Sequence, residues 1–191
     1  MNLVGRFSHW PSAPGPRIKT RLGLSLVLAL LVVAPGSALA SAPNNESATY
    51  DWFLEHPNVA MAPNGDTVAV VGAGTFGVHP KSASGEGEFT HTFAGGGDIS
   101  GTYTVDGLVD FQPYGCGVVF GETLPDNFCG GRVVFDVTLE VDSVGSVEGQ
   151  LTIYCLIGKP PASAAEGIRL VIPGHINFNK VVEGENLYVK T

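Results

Sequence analysis

Strict alternation of apolar and polar residues narrows the possible folds of this chain more than any other feature. Across residues 133–141 every odd position is apolar, and from Asp136 the even positions, Asp136, Thr138 and Glu140, are polar. Successive strand side chains point to opposite faces, so such a run buries one face and wets the other. Residues 147–157 repeat the pattern: Val147, Leu151, Ile153, Cys155 and Ile157 take the apolar side, and Glu148, Gln150 and Thr152 the polar side. The intervening Asp142-Ser143-Val144-Gly145-Ser146 predicts a three-residue hairpin loop with Gly145 in the left-handed conformation. That loop sets Asp142 opposite Ser146 and Cys155 opposite Val133, with both apolar faces on one side.

Further strand candidates cover residues 67–72, 74–79, 87–93, 100–105, 108–111, 168–172, 176–178 and 187–189, nearly all short and separated by Gly, Pro, Asn or Asp. Asn64-Gly65 marks a turn ahead of them, and no stretch carries a 3.6-residue apolar stripe. The expected class is therefore all-β: a single-domain antiparallel β-sandwich or small β-barrel with Gly-rich turns. Gly72, Gly74, Gly87 and Gly101 fall inside strand candidates, where glycine marks bulges and tight bends. Residues 50–54 read as one helical turn or a short docking strand, with Trp52 and Phe53 covering the core edge.

The first forty residues belong to export. Arg17, Lys19 and Arg21 precede an apolar run at 22–34, which ends at Pro35-Gly36 and is followed by Ala38-Leu39-Ala40. A basic start, an apolar stretch too short for a bilayer and a small-x-small site make a signal peptide cleaved before Ser41. The domain plan is thus 1–40 signal peptide, 41–57 flexible leader with a short apolar segment, and 58–191 β domain. Asn45-Glu46-Ser47 in the leader is a glycosylation sequon. Cleavage leaves six basic against eighteen acidic residues, a formal charge of −12. That balance argues against a nucleic-acid partner. No run of 18 apolar residues exists, so no stable membrane insertion is expected after cleavage. Localisation is expected to be secreted, extracellular or periplasmic.

Several strings look chemical. Gly72-Ala73-Gly74-Thr75-Phe76-Gly77 after an apolar strand matches the dinucleotide fingerprint, but that motif needs a helix whose amino end receives the pyrophosphate. Here Val78-His79-Pro80 follows at once, so a curved glycine-containing strand is expected and no cofactor is assigned. Cys116 and Cys129 flank a loop rich in Gly and Pro, while Cys155 lies on an apolar strand face. In the hairpin register above, Cys129 sits four residues beyond Cys155's partner, out of disulfide reach. A Cys116–Cys129 bond is therefore expected, with Cys155 a free, buried and inert thiol.

Histidines 56, 79, 91 and 175 survive cleavage. His91 alternates in step with Phe89 and Phe93, which predicts a buried, hydrogen-bonded ring. His79 and His91, with Glu86, are the candidates for a metal site should neighbouring strands bring them together, although no H-x-H, H-E-x-x-H or Cys/His cluster is present. Asp136 and Glu140 share a strand face but stand about 13 Å apart, too far for a glycosidase pair. Neither a G-x-S-x-G elbow nor a P-loop occurs.

Gly74-Thr75-Phe76 with Val78-His79-Pro80-Lys81-Ser82, residues 87–92, Tyr114-Gly115-Cys116-Gly117, Asn127-Phe128-Cys129-Gly130-Gly131, Cys155-Leu156-Ile157-Gly158 and Asn177-Phe178-Asn179-Lys180 resemble a set of small exported bacterial proteins that carry no assigned activity. The resemblance spans roughly residues 58–190 and implies no substrate, cofactor or catalytic residue. The functional expectation is a non-enzymatic module that binds an extracellular ligand or surface. A hydrolase or metal-dependent enzyme using His79 and His91, and a carrier for a small apolar ligand in a barrel mouth, are the alternatives.

Overall fold

In a computed structural model, residues 47–141 and 144–191 are described; the expected signal peptide and Asn45 lie outside them. Twelve strands make up these residues: β1 (Thr49–Met61), β2 (Thr67–Gly77), β3 (Ser82–Thr92), β4 (Asp98–Cys116), β5 (Val118–Val119), β6 (Glu122–Thr123), β7 (Phe128–Val141), β8 (Gly145–Cys155), β9 (Gly167–Ile172), β10 (Ile176–Phe178), β11 (Lys180–Glu183) and β12 (Asn186–Lys190). All pairings are antiparallel, and they close a ring in the order β1-β2-β3-β4-β7-β12 and back to β1. Beyond the ring, β8, β9 and β10 extend from the stretch of β7 that β12 leaves unpaired, and β11 joins β1. Between the two expected all-β architectures, ring closure selects the barrel.

Three expectations are corrected. The pairs 67–72 with 74–79 and 100–105 with 108–111 are each one long strand, β2 and β4, because glycine bends a strand without ending it. The segment at 50–54 belongs to β1, which begins at Thr49, so the β domain starts before residue 58. Tyr50, Trp52 and Leu54 face inward, and Trp52 is fully buried in the core; only Phe53 lies at the edge, 36% exposed. The β7–β8 hairpin keeps a three-residue connection but closes one residue earlier than expected: Val141 pairs with Gly145, and Cys155 pairs with Gly131 in place of Val133. Parity is unchanged, so the same faces are buried, and Gly145 is left-handed (φ 98°) as expected.

Large aromatic rings fill the interior around Phe76. Its ring lies 5.0 Å from Tyr50, 4.9 Å from Phe111, 5.9 Å from Phe135 and 5.6 Å from Tyr188, centroid to centroid. Glycines on the inner faces of β2 and β3 make the room. Gly72 pairs with Gly87 and Gly74 with Gly85. A Cβ on Gly72 would stand 2.2 Å from the Tyr103 hydroxyl, and one on Gly85 2.4 Å from the Trp52 ring. Within the Gly72-x-Gly74-x-x-Gly77 string Gly72 thus seats the Tyr103 ring, and the string continues into a hairpin with β3 in place of the helix a nucleotide site requires. A void of about 10 Å3 lies within this packing, beside Tyr103, Leu139 and Leu151.

Candidate functional site

His79 and His91 stand at opposite ends of the β2–β3 hairpin. His91 pairs with Val68 in β2, whereas His79 lies in the turn beyond the Gly77–Ser82 pair. Nine residue steps of strand separate those pairs, about 30 Å at 3.3 Å per residue. Glu86 is exposed and, two strand faces alternating, points away from the side His91 takes. The candidates His79, His91 and Glu86 are therefore not brought together, and no cluster of three metal-binding side chains occurs among the described residues.

His91 has a structural partner. Its Nε2 is 3.0 Å from Asp66 Oδ2, and its ring packs 4.4 Å from Phe93 and 5.1 Å from Phe178. Asp66 also accepts the Ala94 amide at 2.9 Å. That amide, with the His91 contact next, holds the Asp66 carboxyl below its usual range. Asp66 thus ties the β1–β2 turn to β3 through His91 and to the β3–β4 turn through Ala94.

The cysteines fall as expected. Cys116 and Cys129 oppose one another on β4 and β7 and are bonded. Cys155 is free and fully buried, its thiol 3.1 Å from the Asn186 carbonyl. Burial, then the nearby Glu166 charge, pushes that thiol up to about 12, which keeps it protonated and unreactive.

Carboxylates gather in one cleft of about 490 Å3, where Glu55, Glu166 and Glu185 line the wall with Phe120 and Leu187. Glu166 accepts the Leu156 amide at 2.6 Å and the Asn186 amide at 2.9 Å. Both of its oxygens thus satisfy backbone donors of the β8–β9 loop and β12, which is a structural duty. Asp136 and Glu140 are engaged across strands by Gln150 and Ser146.

A different pocket opens where β3 and β4 part. Their pairing stops at Glu86–Thr104, while β4 runs on with β7 to Cys116. The gap between the β2–β3 turn and the far half of β4 forms a pocket of about 370 Å3, lined by Tyr50, Val78, Leu108 and Phe111 with His79, Lys81, Asp110 and Lys190. Lys81 reaches across from the turn and donates to the Val109 carbonyl. Asp110 is ion-paired to Arg132. Of these residues only His79 was a candidate from the sequence. The alternation at Tyr50, Trp52 and Leu54 could have revealed the pocket's aromatic wall, but no local signal brings Lys81 and Lys190, 109 positions apart, to one rim.

No family model, curated protein or solved structure matches this chain.

Proposed function

We propose that this chain is a non-enzymatic binding module, exported by the signal peptide at 1–40 and akin to the small exported bacterial proteins it resembles. The carrying observation is the gap pocket between β3 and β4. It joins an apolar wall to a few polar groups at the rim, whereas the void beside Tyr103, Leu139 and Leu151 measures only about 10 Å3. Its place differs from the barrel mouth considered for a carrier, because the gap opens between strands. Titration with phenylnaphthylamine, a neutral apolar fluorophore, tests the assignment. Saturable fluorescence enhancement is expected, and Val78→Trp, which fills the pocket, should abolish it. Absence of enhancement, or turnover of a panel of glycosides and esters, would refute it.

One observation favours contact with a macromolecular surface as a second role. Phe120, at the tip of the β5–β6 hairpin, is 85% exposed and left-handed (φ 47°). An aromatic side chain held so exposed in a left-handed conformation has little of its surface buried by the fold.

A further inference from the structure

We propose that the gap pocket takes an amphipathic anion, a ligand with an anionic head on a medium-length alkyl body. The inference rests on the binding assignment above and adds the sign of the ligand's charge. From residue 41 onward carboxylates outnumber lysines and arginines eighteen to six, so an arbitrary site on this protein should be acidic. The gap pocket reverses that balance. Two of the six cations, Lys81 and Lys190, line it beside His79, and a third, Arg132, compensates its one carboxylate, Asp110. The cleft holding Glu55, Glu166 and Glu185 has no lysine or arginine in its lining. Charge is therefore sorted between the two clefts.

The apolar and cationic parts are also separated within the pocket. Tyr50 and Leu108 are buried at its floor, whereas Lys81 and His79 are exposed at its rim. Lys81 is tethered through one of its three N–H groups to Val109, which fixes the ammonium over the gap while leaving two donors for an anionic head. A concave, low-dielectric wall strengthens the field of such a rim. A neutral alcohol of the same length would fill the floor and leave the rim unused, and a cationic amphiphile would meet repulsion.

Calorimetric titration of the protein recovered after expression of the full chain, using decanoate, decanol and decyltrimethylammonium below their micelle concentrations, provides the test. Decanoate should bind about tenfold more tightly than decanol, as expected for one charge-assisted contact. Decyltrimethylammonium should bind more weakly than either. Lys81→Gln and, separately, Lys190→Gln should each reduce the preference for decanoate over decanol. Equal affinities for decanoate and decanol, or a preference untouched by both substitutions, would overturn the anion assignment and leave the pocket standing. No binding of any of the three would overturn both.

Discussion

Gly72 and Tyr103 form a matched pair of inner-face residues, and their fit can be tested directly. The Tyr103 ring lies over the space a Gly72 side chain would take, and its hydroxyl is buried without a partner among the described residues. Burial drives the hydroxyl well above its ordinary pKa, so it stays protonated. Gly72→Ala should destabilise by about 2 kcal/mol or more, because the new Cβ would stand 2.2 Å from that oxygen. Tyr103→Phe removes an unsatisfied polar atom and should raise stability by about 1 kcal/mol. In the double variant part of the Gly72→Ala loss should be recovered, although the Glu86 carbonyl at 2.7 Å keeps the site tight. Chemical denaturation of the four proteins checks the cycle; strict additivity would show that the two positions do not share this space. Alternation in β2 could place Gly72 on the inner face, but the identity of the ring above it comes from β4, two strands away.

At the scale of elements, the β5–β6 hairpin is bounded by the Cys116–Cys129 disulfide and turns through Phe120 and Gly121, with φ of 47° and 92°. Such a two-residue turn favours Asn or Gly at its first position, since a left-handed L-residue costs roughly 1–2 kcal/mol. Phe120→Asn should therefore raise stability by up to about 1 kcal/mol in thermal unfolding, with the disulfide intact. A loss of stability instead would mean that the Phe120 ring packs on the fold. The cysteine pairing was expected because the β7–β8 hairpin set Cys129 beyond Cys155's cross-strand partner, by four residues in the expected register and by two in the observed one. The hairpin itself was not, because two-residue strands carry no period.

For the molecule as a whole, one carboxyl links stability to pH. Burial pushes Glu166 up to about 7 from 4.5, against the pull of the Leu156 and Asn186 amides, and Glu185 adds to the rise. The folded state thus holds this proton more tightly than the unfolded chain. Its contribution is complete below about 4.5 and is lost as pH rises through about 7. Unfolding free energy should fall by on the order of 3 kcal/mol across that window. Urea titrations at pH steps through it should show the decline, and Glu166→Gln should flatten it; an unchanged slope in the variant would assign the effect elsewhere. Asp66, whose carboxyl is lowered, acts oppositely and in a separate range, its contribution being lost as pH falls below about 3.8.

The sequence by itself determined the all-β class, the inward faces of β7 and β8, the Cys116–Cys129 pairing and the failure of the glycine string as a nucleotide site. Each follows from a period of two or from a local requirement that neighbouring residues meet or break. Tertiary structure alone decided that the strands close into a ring, that Trp52 stands in the core, that His79 and His91 stay apart, and that Lys81 and Lys190 share a rim. Those facts depend on which strands pair and in what register, and pairing is settled by the burial of the whole aromatic core, to which no single segment holds the key.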